Sequence, residues 1–285
     1  MPNAYVTLDV LKGTAGLDIT GTAYDSRLLN LIEHISRQVD KYCNRSFYFY
    51  LETKTFNGDG SKELFVPDLI NLTSLKEDSN QDGTFDTTWA AADYNLVPYN
   101  AAPTKEWGFP YTRLEVNTKS NGSQDVFLKD QQNYEIVGTW GYRRVTKDSG
   151  INISGTLNST ATSLVMDGSG SGTIEAGMVL VLEQEQVYIP AQAIVGTSVA
   201  IERAKNGSTA AAHSTSDINI VEYPGAVVEA TFIQTSRLWK RKDSGFASEV
   251  GFPETGQVMT FRGALDQDVK ALLSPFKKLP LGFPI

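Results

Sequence analysis

The spacing of apolar residues changes along the chain, and this change constrains the fold more than any other feature of the sequence. Between Asp25 and Arg45, apolar residues recur in alternating steps of four and three, which places them on one face of a helix. They are Leu28, Ile32, Ile35, Val39 and Tyr42. Asn44 is suited to end this helix. A shorter helix is predicted from Thr7 to Gly13, with Thr7 as its capping residue.

From Phe47 to Val145 the pattern becomes that of short strands. Turn signals such as Asn57-Gly58-Asp59-Gly60 and Asn121-Gly122 separate runs with the residue types and alternation of β-structure. The runs are Phe47–Leu51, Glu63–Val66, Asn71–Glu77, Tyr94–Val97, Arg113–Val116, Val126–Leu128 and Tyr134–Gly138. This pattern predicts a small, mostly antiparallel β-sheet.

The stretch from Ser149 to Tyr223 differs in composition from its surroundings. It is rich in Ser, Thr, Gly and Ala, and its seven acids against two bases give it a net charge of −5. Short runs such as Met178–Leu182 and Gln186–Ile189 predict a compact β-barrel or sandwich.

The helical pattern returns after Pro224. Apolar residues from Ala226 to Trp239 cover more than one face, so this helix is expected to be buried on most sides, within its own domain or against a neighbouring subunit. It ends in the basic run Lys240-Arg241-Lys242. A further short helix is predicted from Leu265 to Ser274, followed by a proline-interrupted apolar tail.

These patterns together predict an α+β fold. It consists of a helical core with a small antiparallel β-sheet, plus an inserted all-β domain that is a barrel or a sandwich. The predicted domains are a discontinuous core, 1–148 plus 224–285, and the inserted β domain at 149–223.

Charge and composition weigh against several functions. Lys and Arg total 25 and Asp and Glu total 33, and the net charge of −8 argues against broad nucleic-acid binding through phosphate neutralisation. Cys43 is the one cysteine, and the two histidines lie far apart in sequence, which disfavours a thiolate cluster or a zinc site. Residues 1–8 lack a secretory pattern, and no apolar run is long enough for a membrane helix, so we expect assembly in a cytoplasm.

Several short motifs, taken in order, resemble the gp6-like head-tail connectors, the head-to-tail adaptor family of tailed bacteriophages. The first group is Ile35-Ser36, Val39-Asp40, Tyr42-Cys43, Arg45-x-Phe47, Thr53, Phe56-x-Gly58 and Leu64-x-Val66-Pro67. The later group is Thr139-Trp140-Gly141-Tyr142, Pro224-Gly225-Ala226-Val227, Trp239-Lys240-Arg241-Lys242 and the stretch from Leu272 to Lys278. The β insert departs from the shortest members of that family.

The resemblance implies a structural virion protein and not an enzyme. Its members form a ring, typically dodecameric, that docks beneath the portal protein at the neck of the virion. Such a ring binds the next neck or tail protein on its other side and encloses a channel through which DNA passes without sequence-specific binding. No membrane takes part.

The C-terminal segment is the predicted interface with a neighbouring subunit or the portal, because its prolines keep its apolar tail from extending the helix or pairing centrally in a sheet. The predicted interface residues are Leu265, Val269, Leu272, Leu273, Phe276, Leu279, Leu281 and Phe283. The basic residues Lys240, Arg241 and Lys242 are candidates for contact with channel DNA or an acidic neighbour, and a solvated helix end is the alternative.

The segment from Asp78 to Asp86 resembles the first part of an EF-hand calcium loop, with Asp78, Asn80, Asp82 and Asp86 as oxygen ligands. Trp89 stands where that loop has its bidentate Glu. We therefore expect mainly a polar turn, with weak calcium binding as the alternative and no other cofactor. The rival function is a calcium-dependent binding or decoration module of a virion fibre or tail protein.

Two carboxylates, Glu183 and Glu185, have the spacing of neighbours on one face of a strand. Paired acids on one strand are usually solvated, so we expect no glycosidase-type catalysis from them. His213 is expected to be structural or solvent-facing, and Cys43 to be a small core residue.

Overall fold

The computed structural model describes residues 3–119, 123–168, 172–214, 217–244, 249–252, 257–260 and 265–278. These residues form two compact units. Unit 1 contains the described chain up to Asn44, Thr146–Lys205 and the described residues from Thr209 onward. Unit 2 contains Arg45–Val145 and Asn206–Ser208.

Unit 2 is built on one antiparallel sheet. The strand order is β1-β6-β2-β5-β4, and β3 pairs with β2. The strands are β1 (Tyr50–Gly58), β2 (Glu63–Glu77), β3 (Thr87–Thr88), β4 (Tyr94–Val97), β5 (Tyr111–Val116) and β6 (Asp130–Trp140).

The core of unit 2 lies against this sheet and is rich in aromatic rings. Trp89 stacks on Phe127 with ring centroids 4.7 Å apart, and Tyr134 meets both rings edge-on. The carboxylate of Glu77 is buried beside them and accepts hydrogen bonds from Trp89 Nε1 (2.8 Å) and Tyr134 Oη (2.9 Å). Burial and the neighbouring Glu77 raise the pKa of Tyr134. The buried carboxylate of Glu77 thus has hydrogen-bond partners, as a low-dielectric site requires.

Strand β2 is longer than its sequence pattern predicts. It runs through Pro67, where the sequence indicated a break between two separate strands. The register with β5 shifts between Phe65 and Leu69, so Pro67 lies at an irregularity where no ladder amide is needed from it. One continuous strand of 15 residues results.

The β-strands of unit 1 form several small antiparallel sheets. Their orders are β11-β10-β15-β7, β12-β13-β9 and β14-β8. The strands are β7 (Thr146–Asn152), β8 (Thr156–Leu157), β9 (Ser163–Val165), β10 (Val179–Leu182), β11 (Glu185–Tyr188), β12 (Ile194–Val195), β13 (Ser198–Ala200), β14 (His213–Ser214) and β15 (Asp217–Val221). Their inward side chains, among them Leu164, Leu180, Val187, Val199 and Ile218, share one apolar cluster.

The helices of unit 1 come from both ends of the chain. They are α1 (Leu8–Lys12), α2 (Asp25–Cys43), α3 (Gly225–Lys240) and α4 (Gln267–Leu273), with a 3-10 turn at Arg241–Ser244 after α3 and another at Ser274–Phe276. A hairpin of β16 (Glu249–Phe252) and β17 (Gln257–Thr260) lies between α3 and α4 in sequence.

The prediction of α1 and α2 is confirmed. Thr7 caps α1 through its hydroxyl, and Asn44 ends α2 in the left-handed conformation at φ 53°. Asp25 lies inside α2 and pairs with Lys12 at 2.6 Å. Helix α1 is connected to the segment that precedes β10 by a hydrogen bond of 3.0 Å from the Leu8 amide to the Ala176 carbonyl.

The predicted α+β fold with a helical core is wrong. The chain is mostly β, with 33% strand and 21% helix, and among the described residues no helical core stands apart from the several antiparallel sheets. The apolar periodicity located the helices, but it predicted strands shorter than the observed β1, β2 and β6. Irregularities in the register of these strands interrupt the alternating pattern on which the prediction relied. The periodicity also gave no sign that the helices pack on the strands of unit 1, for example where Tyr188 Oη donates to Glu33.

The two compact units also differ from the predicted domains, because the strands from β7 to β15 belong to the same unit as the helices. The division into a discontinuous core and an inserted β domain at 149–223 stays a prediction. Among the described helices, none has the combined length and apolar character of a membrane span.

Gly207 provides a test of the packing in unit 2. Its φ is +76°, and a Cβ there would lie 2.0 Å from the carbonyl oxygen of Leu51. We expect Gly207→Ala to destabilise unit 2 by more than the roughly 1 to 2 kcal/mol of left-handed strain alone. Gly155→Ala is the matched control, because its φ is +77° and its Cβ would meet nothing within 4 Å.

The readout is hydrogen exchange at Leu51, whose amide donates to the Asn206 carbonyl at 2.8 Å. Exchange should accelerate in Gly207→Ala and stay unchanged in Gly155→Ala. Equal rates in the two variants would contradict the close approach.

Candidate interaction surface

Helix α3 has an unusual distribution of polar and apolar residues. Four polar side chains, Thr231, Gln234, Thr235 and Ser236, are buried. Four large apolar side chains are only partly covered, namely Val228, Phe232, Ile233 and Leu238. Since apolar burial favours the opposite arrangement, α3 retains apolar surface that another molecule can cover.

The buried polar residues of α3 have mixed surroundings. Thr231 donates to the Val227 carbonyl at 2.9 Å, and the side-chain oxygen of Gln234 accepts the Asp266 amide at 3.0 Å. Within the described chain, the hydroxyls of Thr235 and Ser236 have no hydrogen-bond partner. The inward side of α3 therefore carries these polar groups together with the buried apolar residues Val227, Ala230 and Trp239, while the four partly covered apolar residues lie toward its margins.

A groove of about 250 Å³ lies between α2 and α3. Its lining residues are Arg27, Asn30, Leu31, His34, Leu238, Trp239 and Lys242. Leucine and tryptophan form the apolar part, and every ionisable residue in the lining is of a basic type. The groove is thus apolar inside with basic side chains around it.

Trp239 holds the basic side chains of the groove in place. The Lys242 Nζ lies 4.4 Å from the Trp239 ring centroid, and the Arg27 guanidinium lies 5.8 Å from it. Tyr24 meets the same ring edge-on at 5.5 Å. Cations over an indole face are attracted by its quadrupole, so these side chains are positioned beside the groove.

The predicted basic run is divided by the structure. Lys240 is exposed at the end of α3, Arg241 pairs with Asp266 at 3.4 Å, and Lys242 lines the groove. The three side chains thus lie in different surroundings. Arg27 and His34, which complete the basic lining, lie off the apolar stripe of α2 and were not singled out by the sequence.

The predicted C-terminal interface residues divide into three groups. Leu265, Val269 and Leu273 are buried within unit 1, although the sequence pattern predicted an interface role for them. Leu272 and Phe276 are partly buried, so for these two the interface stays a prediction. The remaining three, Leu279, Leu281 and Phe283, lie outside the described residues.

Helix α4 is fixed to α3 and to the end of α2, which explains this burial. Arg237 forms two hydrogen bonds to the Asp268 carboxylate, at 2.7 and 2.5 Å, and they hold the pKa of Asp268 near 2. The Lys278 amide donates to the Cys43 carbonyl at 2.8 Å. Cys43 is itself buried, as predicted from the sequence.

The loop from Asp78 to Asp86 is a turn whose acidic side chains bind its own backbone. Asp78 accepts the amides of Asp82 (3.2 Å) and Gly83 (2.8 Å), and Asp82 accepts the amide of Thr84 (2.8 Å). The bonds from Thr84 lower the pKa of Asp82. Within the described ranges, no three His, Cys, Asp or Glu side chains are grouped to hold a metal ion.

The calcium prediction is directly testable. Trp89, at the twelfth position, is buried in the core of unit 2 and is not an oxygen ligand. We therefore expect calorimetric titration with Ca²⁺ to detect no binding tighter than about 10⁻⁴ M, in the wild type or in Asp82→Ala. Tight binding that Asp82→Ala abolishes would contradict this expectation.

A buried ionic cluster in unit 1 was not predicted. Glu185, only 2% exposed, accepts two hydrogen bonds from Arg203, each 2.6 Å long, and the amides of Ala204 and Ala211 at 3.1 Å. His213 Nε2 lies 2.9 Å from the same carboxylate. The sequence pattern predicted solvated carboxylates on this strand, which holds for the exposed Glu183 and fails for Glu185.

The cluster fixes the loop that follows β13. Burial alone would raise the pKa of Glu185, but the bonds from Arg203, His213 and the two amides more than offset it and lower the pKa to about 2. The carboxylate therefore stays ionised and keeps its partners in one arrangement. These contacts tie the loop backbone and His213 to the Glu185 carboxylate.

Glu185 should make the stability of unit 1 depend on acid pH. Its folded pKa of about 2 lies below the ordinary 4.5, so its stabilisation is present above about pH 5 and is lost as the pH falls toward 2. The lost stabilisation is about 3 kcal/mol. Glu185→Gln should abolish this part of the pH dependence.

Urea unfolding followed between about pH 6 and pH 2 measures the effect. Glu229→Gln is the matched control, since Glu229 is an exposed glutamate of unit 1. If the wild type and Glu185→Gln lose stability in parallel on acidification, the assigned role of Glu185 is wrong.

No protein-family model matches the chain, and no curated protein matches it either.

Proposed function

We propose that this chain is a structural virion protein, a head-to-tail adaptor of a tailed bacteriophage. It forms a ring beneath the portal protein, joins the capsid to the next neck or tail protein, and encloses the channel for DNA. It acts by self-association and docking, and it is not an enzyme. The order of motifs described in the sequence supports this proposal.

The observation that carries the proposal is the composition of α3. This helix buries four polar side chains and leaves four large apolar ones partly covered. A monomer gains nothing from that arrangement, whereas an assembly covers the apolar groups at a subunit contact. The helix thus has the composition expected of an element used for association.

The net charge supports the channel role. A conduit must let DNA slide, and each Lys or Arg contact to phosphate adds salt-dependent affinity that would hold it. A chain with 33 acids and 25 bases offers little such affinity overall. DNA then passes without sequence-specific contact.

The proposal is tested on the purified full chain. Native mass measurement and electron-microscope class averages should show closed rings with a central hole. Phage heads made without this protein should then join to tails only when it is added. A chain that stays monomeric at every concentration and does not join heads to tails would contradict the proposal.

A substitution at Ile233 tests whether α3 takes part in ring formation. It is a partly covered apolar residue that does not line the groove between α2 and α3. We expect Ile233→Asp to lower the yield of rings while thermal unfolding of the monomer changes little, because the substitution places a charge in a contact. Val195→Asp, at a residue that is 76% exposed, is the matched control and should assemble normally.

A further inference from the structure

The groove between α2 and α3 has the size of a site for side chains. Its volume of about 250 Å³ is smaller than the roughly 300 to 1,000 Å³ of ordinary small-molecule pockets. Leu31, Leu238 and Trp239 provide an apolar lining, and Arg27 and Lys242 lie beside it. A protein surface with apolar side chains and carboxylates complements this lining.

We infer that the groove receives an acidic surface of a second copy of this chain in a head-to-tail contact. This inference rests on the proposed function and names the contact by which the ring closes. The complement comes from the same chain, since the whole sequence carries 33 acids against 25 Lys and Arg residues, two of which are Arg27 and Lys242, while the ionisable residues of the groove are all basic in type. A second copy therefore presents mainly negative charge to the groove.

The same charges oppose a two-fold dimer made groove to groove. In such an isologous contact each residue meets the same patch on its partner, so Arg27 and Lys242 of one copy would face Arg27 and Lys242 of the other. Like charges juxtaposed in an interface oppose association. The groove instead requires a different surface on its neighbour.

A contact between two different surfaces repeats from copy to copy. Each copy uses its groove on one side and its acidic surface on the other, and the series closes into a ring when the rotation between copies permits. A head-to-tail contact through the groove thus allows assemblies of more than two copies, which a groove-to-groove dimer does not. Steering by opposite charges also makes the contact sensitive to salt.

The test is a charge reversal at the groove. Arg27 is exposed, so Arg27→Glu is compatible with folding, and Arg27→Gln is a milder second variant. Lys105→Glu, at an exposed lysine of unit 2, is the matched control. We expect Arg27→Glu to weaken subunit association at least tenfold, Arg27→Gln to weaken it less, and Lys105→Glu to leave it unchanged, as measured by the concentration dependence of native mass.

Photocrosslinking identifies the occupant. A benzophenone amino acid placed at Asn30, an exposed lining residue, is used in a mixture of ¹⁵N-labelled and unlabelled full-length chains. Mass spectrometry should find crosslinks between copies, to a peptide that contains Asp or Glu and lies outside α2. Crosslinks from α2 to α2 of a second copy, or none between copies, would overturn the inference.

The outcomes separate this inference from the proposed function. If the wild type forms rings and Arg27→Glu forms them equally well, the groove assignment fails and the ring stands. If the wild type is monomeric and does not join heads to tails, both fail. Two-fold dimers as the largest assembly would overturn the head-to-tail contact.

Discussion

The packing of α3 between α2 and α4 determines where the candidate interaction surface lies. Arg237 and Arg241 bind Asp266 and Asp268, which lie at the start of α4, where acidic side chains are also stabilised by the helix dipole. Each of these partly exposed ion pairs contributes little alone, but the Arg237 pair is bidentate and belongs to a network. With α4 fixed in this way, α3 presents Leu238 and Trp239 to the groove beside α2.

The polar residues on the inward side of α3 have a related consequence. Gln234 is committed to the Asp266 amide and Thr231 to its own helix. Exchanging the inward polar side chains for the marginal apolar ones would need a rotation of α3, which would break the bond to α4. The partly covered apolar residues therefore stay at the surface, where the proposed association would bury them.

The sequence predicted local structure better than it predicted long-range contacts. The boundaries of α2 follow from a 3.6-residue period and from Asn44, both of which are local signals. By contrast, β2 continues through Pro67 only because its partner strands shift register there, and that shift is a property of the sheet. A fold assignment based on local periods therefore overestimated the helical part of the chain.

The difference between local signals and long-range contacts also explains why the sequence predicted neither the groove between α2 and α3 nor the buried ionic cluster around Glu185. Lys242 was identified within a basic run, but its partner in the groove, Arg27, comes from the opposite end of the chain. In the sequence Glu185 resembles a solvated strand residue, because its partners Arg203 and His213 come next to it only in the folded protein. Because its hydrogen bonds outweigh desolvation, the buried charge of Glu185 both holds its loop in one arrangement and makes the stability of unit 1 depend on its ionisation.

Charge is distributed in the proposed ring so that assembly and DNA passage do not conflict. Basic side chains exposed on a channel wall would bind phosphate and slow the DNA. Arg27 and Lys242 lie instead beside an apolar groove, where Trp239 holds them and where a neighbouring copy would cover them. In the proposed ring, the acidic surface of the next copy would neutralise these cations, which would then contribute to the subunit contact and lie out of the reach of DNA. An acidic chain with a locally basic groove therefore satisfies both requirements with one set of side chains.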